Sequence, residues 1–406
     1  MCDVPALRFP EFTEEWERIR VSDLLDFYST NSLSWEQLEY EQNEPYNLHY
    51  GLIHVGLPTL IDLTKDELPS IKDGNAPKKY ELCKEGDVAF ADASEDTNEV
   101  AKIVEFYNLD GKKVVCGLHT IHGRNNNKQT AQGFLGYCFS STVFHNQIRR
   151  IAQGTKIYSI STKNFSEVFV GLPNKKEQQK IATLLRLIDE RIVTQNKIIE
   201  KLETLIKGIV DFIFNANKFP KVPFKEIYIR AGEGGTPATS IPEYYNNGTI
   251  PFIKIDDLQN KYIRSNKDCI TELGLQKSSA WIVPSNSIIY SNGATIGAIS
   301  INLFPVCTKQ GILGVVPKAN INVEFLYYFM TSTVFTKAVE RIVTEGTMRT
   351  AYLKDINHIL CPVPCSTQQD EIAKLLSTLS AKLENEITFH RKLQIQKEFL
   401  LSQMFI

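Results

Sequence analysis

The feature that most limits how this chain can fold is an internal repeat at an offset of 191 residues. Gly171-Leu172-Pro173 and the run from Gln178 to Leu185 are answered by Pro362-Val363-Pro364 and the run from Gln369 to Leu376, and Gly154-Thr155-Lys156, one residue out of step, by Gly346-Thr347-Met348-Arg349. At that offset Pro173 falls on Pro364, Gln178 on Gln369, Ile181 on Ile372, Leu185 on Leu376 and Val115-Cys116 on Val306-Cys307. Each half also opens alike, with Phe9-Pro10 and Trp16 against Phe219-Pro220 and Phe224. Such a chain is one plan used twice, in the order domain, helix, domain, helix. The expected boundaries are a first domain over 1–172, a helix over 173–217, a second domain over 218–364 and a second helix over 365–406.

Both helices are read from their apolar spacing. Ile181, Leu185, Ile188, Ile192, Gln195, Ile199, Leu202, Ile206, Ile209 and Ile213 follow at alternating steps of four and three, the seam of a coiled coil. Pro173 and Asn174 start this helix, and Asn215, Asn217 and Pro220 stop it. Nearly forty residues at about 1.5 Å each make a rod of roughly 60 Å. The second helix begins near Thr367 and keeps the phase at Ile372, Leu376, Leu379, Leu383, Leu393, Leu400 and Met404, with Glu386 and His390 on the seam between. An apolar stripe must be buried against something. The economical arrangement is an antiparallel coiled coil of the two helices, its register set by Gln195, Glu386 and His390. The alternative is an external partner on each seam.

The remaining sequence reads as a mixed α/β (α+β) fold with many short strands, such as Asp87–Ala91, Ile250–Ile255, Ser287–Tyr290 and Gly311–Val316. A helix over Val323–Arg341 closes the second domain. At 43% hydrophobic the chain can fill two cores, yet no apolar run is long enough to span a bilayer. Met1 to Arg8 holds no signal-peptide core, so a cytoplasmic location is expected. The cysteines read as buried free thiols. Cys116, His119 and His122, at Cys-x2-His-x2-His spacing, and Cys361 with Cys365 lack the paired Cys-x2-Cys clusters of a structural zinc site, so no metal is expected.

The tools of catalysis are missing as well. There is no Asn-Pro-Pro-Tyr or Asp-Pro-Pro-Tyr element to hold a flipped adenine, and no Walker-type phosphate loop. Gly232 to Gly235 reads as a turn, and Asp110-Gly111-Lys112 lacks the further carboxylates of a metal nuclease. The chain is expected not to be an enzyme by itself.

With these residues placed, the chain resembles the specificity subunits of Type I restriction-modification systems over essentially its whole length. The resemblance rests on Leu7 through Phe12, Gly234-Gly235-Thr236-Pro237, Ile250 through Ile253, Ile289 through Gly297, and Lys309-Gln310-Gly311-Ile312 through Tyr328. The first half, with Tyr50 through Gly56 and Gly86 through Asp96, is similar to a different subtype of target-recognition domain. The resemblance implies two pseudo-symmetric target-recognition domains, each reading a few base pairs of double-stranded DNA. The helices hold them apart, so the target is two unlike half-sites with a fixed spacer. It also implies two methylation subunits and two restriction (motor-nuclease) subunits as partners. S-adenosylmethionine, ATP and Mg would lie on those partners, and this chain would bind no cofactor. Three rivals remain open: the specificity chain of a related system with a fused methyltransferase–nuclease partner, a coiled-coil adaptor that binds protein, and an isolated metal-dependent enzyme built on Cys116, His119 and His122.

A net charge of −2 is unhelpful for a DNA binder, but the charge is segregated. Gly111 through Ser166 has no Asp or Glu and eight basic residues, and Leu273 through Val323 has no acid and three lysines. Arg pairs bidentately with guanine, and Asn or Gln with adenine, in the major groove. The Asn-rich stretch after His122 therefore supplies Arg124, Asn125, Asn126, Lys128 and Gln129 as candidate base readers, a plain solvated loop being the alternative. Asn292, Thr295, Lys309 and Gln310 are the candidates in the second domain. Thr155 and Lys156, Thr347 and Arg349, and Gly235 with Thr236 suit phosphate, since Gly allows close approach and Thr or a cation can bind an oxygen.

Overall fold

The computed structural model describes all residues except 1–3, 42, 76, 78, 126, 128, 217, 294 and 344–348. The chain divides into two compact units, Met1–Asn196 with Phe389–Ile406, and Lys197–Thr388. The division falls within both long helices rather than at their ends, so each unit holds one domain and a piece of each helix.

The first unit is built on a five-stranded sheet of β1 (Asp26–Tyr28), β2 (Leu60–Asp62), β3 (Val88–Ala91), β4 (Ile103–Asn108) and β5 (Thr120–Arg124). Its spatial order is β1-β5-β3-β4-β2, antiparallel except for the β2–β4 edge. Val88, Ala89, Phe90 and Ala91 are all buried, the mark of a strand covered on both faces. A second small sheet joins Val114–Cys116 to Tyr46–Leu48. Behind the main sheet lie α1 (Phe134–Phe139) and α2 (Thr142–Ile151), whose aromatic side chains pack with Phe90 and Phe165.

The second unit repeats this order. Its strands are β6 (Tyr228–Glu233), β7 (Tyr262–Ile263), β8 (Ser287–Ser291), β9 (Ile299–Asn302) and β10 (Ile312–Pro317). They lie as β6-β10-β8-β9-β7, again with one parallel edge, β7–β9. A smaller sheet joins Ile250–Ile253 to Cys307–Thr308 in parallel, as in the first unit. The helix expected over Val323–Arg341 is two helices, Val323–Thr331 and Thr333–Ile342. Ser332 breaks it, because its backbone is extended and its hydroxyl accepts from Phe335 N. The same Ser-Thr-Val-Phe sequence starts α2, where Ser141 accepts from Phe144 N.

The long helices are α3 (Lys175–Asn215), then, after the pair just described (α4 and α5), α6 (Ser366–Gln403). Asn174 caps α3 through a hydrogen bond from Glu177 N. Of the expected seam, Ile181, Leu185, Ile188, Ile199, Leu376 and Leu393 are buried, and Ile192, Leu202, Ile206, Ile372, Leu379 and Leu383 are half-buried. Within the first unit Ile181, Leu185 and Ile188 share a core with Leu400 and Met404. Asp189 there binds Lys397 at 2.6 Å, and Arg191 lies 5.2 Å from the ring of Phe389, so the two helix segments run antiparallel. Within the second unit Val210 and Phe214 share a core with Ala373 and Leu376.

The repeat extends to side-chain hydrogen bonds. Gln178, at the start of α3, donates to Pro173 O and Gln129 O and accepts from Ala131 N. Gln369, at the start of α6, donates to Pro364 O and Asn320 O and accepts from Asn322 N. All four residues of one clamp map onto the other at the offset of 191. Each clamp ties a long helix to the chain just before its domain's helix pair.

Candidate nucleic-acid interface

The proposed readers divide into exposed and buried sets. After Gly154, Thr155 and Lys156 are exposed. Gly154 has φ of +141°, and a Cβ there would meet Ile157 O at 1.9 Å, so only glycine fits this turn. In the second unit Lys309, Gln310, Thr295 and Arg349 are exposed. Thr236 Oγ1 accepts from Gln310 N at 3.3 Å, and Glu233 accepts from Gly311 N at 2.7 Å, which brings the β6 end and the Lys309–Gly311 turn together. Gly235 is buried: a Cβ there would meet Ala280 N at 2.4 Å, so it packs the backbone rather than facing a ligand. Thr295 and Arg349 share a cavity of about 360 Å³ with Tyr290, Gly297 and Val339.

Two further expectations change on placement. Arg124 does not lie in a loop; it ends β5 and is only 6% exposed. Its Nε and Nη2 bind the two oxygens of Asp87 at 2.8 Å each, Nη1 binds Glu81 at 2.6 Å, and Nη2 also reaches Leu82 O. The guanidinium lies 4.4 Å from the centre of the Tyr28 ring. A fork occupied in this way cannot also grip guanine; Arg124 holds the platform. Burial would push the Asp87 carboxyl up, but hydrogen bonds from His122, Arg124 and the Lys84 amide outweigh it and hold it below its ordinary value.

Asn292 is likewise buried, at 1% exposure. Its Nδ2 donates to Ala351 O at 3.1 Å and its amide to Gly311 O at 3.0 Å, which pins the Lys309–Gly311 turn to the segment carrying Arg349. It positions its neighbours instead of reading a base. Asn125 is half-buried and donates to Thr130 Oγ1, whereas Gln129 is exposed. Asn126, Lys128 and Thr347 lie outside the described residues.

The residues that the sequence reading missed are the acids. Asp87 opens a fully apolar strand, where a carboxylate has no reason to stand unless a cation meets it. In the neighbouring strand β4, Glu105 is buried and accepts from Gly133 N and Gly136 N at 2.5 and 2.7 Å. Burial, only partly offset by those two amides, pushes its carboxyl up to about 7. In the second unit Lys261 is held by Glu324, Tyr328 and Ser377, a buried anchor between β7, α4 and α6.

The two domains thus share a frame and differ in what it carries. At the places of His122 and Arg124 the second domain has Leu313 and Val315, both buried. The profile of the Type I restriction modification DNA specificity domain matches residues 106–204 and 221–396, well over half of the chain. The chain belongs to that family. The specificity subunit of the MjaIX enzyme of Methanocaldococcus jannaschii is 31% identical over 156 residues, which are 38% of this chain and 36% of that subunit. The EcoR124I/EcoR124II specificity subunit of Escherichia coli is 29% identical over 161 residues, 38% of this chain and 39% of its own length. The putative MjaX specificity subunit of M. jannaschii aligns across 95% of this chain and 91% of its own length at 24% identity.

Solved structures agree on the fold. The S subunit of a Type I restriction-modification system from M. genitalium superposes with a TM-score of 0.60 over 99% of both chains, at 18% identity. A chain from a study of complex assembly and conformational transition in the Type I system gives 0.61 over 95% of this chain and 96% of its own. Among the described residues no helix is long and apolar enough to cross a membrane.

Proposed function

We propose that this chain is the DNA-reading subunit of a Type I restriction-modification enzyme, with one half-site of an asymmetric two-part target read by each domain. The observation that carries this reading is the repeated frame with unlike contents. Two sheets of the same strand order, each clamped to a long helix by Gln178 or Gln369, present different residues at equivalent positions. A repeated frame supports two readers of one kind; unlike contents give unlike half-sites. DNA repeats about every 34–36 Å, so the length of helix between two such readers would set the spacer they accept.

Lys309, Gln310 and Thr236 form the candidate contact surface of the second domain, with Thr295 and Arg349 beside them. In the first domain Thr155, Lys156 and Gln129 are the exposed candidates. All of these residues but the half-buried Thr236 are exposed, and their polarity suits phosphate and base edges. Two methylation subunits and two restriction subunits would assemble on the chain in the cytoplasm, and S-adenosylmethionine, ATP and Mg would belong to them. Chemistry is then the partners' task, and this chain's task is position.

The test is a map of modified adenines after co-expression of this chain with a methylation subunit from the same source. A two-part motif with constant spacing, absent when this chain is left out, is the expected result. A soluble complex that adds no modification would overturn the reading.

A further inference from the structure

Beneath Arg124 lies a second cluster that DNA reading does not use. Cys83, Cys116 and His122 place two thiol sulfurs and one imidazole nitrogen within 4.8 Å of one another, and all three residues are buried. The sulfurs are 3.5 Å apart. His122 is fully buried, and its Nε2 meets Asp87 at 2.8 Å. The Asp87 carboxylate therefore holds the proton on Nε2, leaving Nδ1 as a bare acceptor. That Nδ1 is buried with no hydrogen-bond partner. A buried polar atom without a partner costs about 1–3 kcal/mol, which calls for an explanation.

From these contacts we propose that Cys83, Cys116 and His122 bind a thiophilic d10 cation, zinc(II), that pins the core of the first domain. Two thiolates on one tetrahedral zinc, each at about 2.3 Å, stand about 3.8 Å apart, close to the spacing already present. A carboxylate on the far nitrogen of a ligating histidine is the usual support for such a ligand, and Asp87 provides it. Both thiols release their protons on binding, so the two thiolate charges cancel the charge of the ion. The three residues fill three of four tetrahedral positions.

The sequence hid this set, because Cys83 lies far upstream of the Cys116–His122 pair. His119, the middle member of the apparent Cys-x2-His-x2-His spacing, is instead half-exposed on Asp92. The second domain offers an internal contrast. Cys307, the repeat equivalent of Cys116, is buried against Phe252 and Ile270. Leu313 replaces His122 there. The cysteine alone is a packing residue; the added histidine and second cysteine convert that position into a donor set. An ion there would join the segment at Cys83, the small sheet and β5, directly under the Arg124 pair.

The experiment uses the full chain, with its methylation partner if solubility requires it, produced in zinc-supplemented medium. Metal content is measured by mass spectrometry, and cobalt(II) is then exchanged into the site. The expected results are one zinc per chain in excess over the partner alone, a sulfur-to-cobalt charge-transfer band, and two more reactive thiols after chelation. Cys116→Ser loses the metal, and Cys307→Ser keeps it. Zinc no higher in the wild type than in Cys116→Ser would overturn the proposal. So would stoichiometric metal without a sulfur-to-cobalt band, since the ion would then sit elsewhere. Should Cys116→Ser fail to fold, the cobalt spectrum and thiol count of the wild type still decide.

Discussion

Replacing Arg124 by Ala should unfold the first domain before it changes what the protein reads. Asp87 is 1% exposed and receives two of the guanidinium's bonds; Glu81 receives a third and Leu82 O a fourth. Removal of one partner of a buried ion pair typically costs about 3–5 kcal/mol, because the remaining charge is left buried and unpaired. Against a total of about 5–15 kcal/mol for a folded domain, that is a large share. Arg124→Lys should recover only part, because one ammonium cannot span Asp87 and Glu81 together. Arg124→Ala with Asp87→Asn should be less damaging than the single change, since the stranded charge is gone. Urea unfolding followed by circular dichroism measures all three. An Arg124→Ala protein within about 0.5 kcal/mol of wild type, as for an ordinary surface change, would refute the platform role and return Arg124 to base reading.

Further outcomes follow from the other buried groups. Gln178→Ala and Gln369→Ala each strand buried backbone groups at a helix start, so each should cost about 1–3 kcal/mol in urea unfolding, by similar amounts in the two domains. The Glu105 carboxyl, raised from 4.5 to about 7, adds stability while protonated. That contribution is complete below pH 4.5 and is lost as pH rises through about 7; at 1.36 kcal/mol per unit the swing is roughly 3 kcal/mol. The difference in stability between wild type and Glu105→Gln, measured across that range, should show the slope, and a flat difference would contradict it. Lys309→Ala should weaken DNA binding by the assembled complex and lower its log–log salt slope by about one, whereas an unchanged slope would remove Lys309 from the phosphate contacts.

The long helices and the doubling of the chain were legible because both are written in local spacing. A seam of four-and-three steps and a shared offset need no knowledge of distant contacts. The helix pair of the first domain escaped notice although Ser141 through Phe144 repeats Ser332 through Phe335, because α1 carries Gly136 and is only six residues long. The site was harder for a physical reason. Arg124 beside a run of asparagines has the composition of an exposed loop, but the strand ends only after it. What buries it is a carboxylate 37 positions away, and pairing at that range leaves no periodic trace. Asn292 misleads in the same way: its neighbours are turn residues, yet Ala351, 59 positions on, covers it. The side chains of Lys309, Gln310 and Arg349 are exposed, so nothing in their placement runs against their residue type.

The central claim, that each domain reads its half-site independently on a shared frame, is tested most directly by exchanging one domain. Residues 219–364 would be replaced by the corresponding segment of another specificity subunit, and the modified adenines mapped with the methylation partner present. The account predicts that one half of the motif changes to the donor's while the other half and the spacer length persist. A chimera that methylates DNA with both halves altered, or with a new spacer, would contradict it.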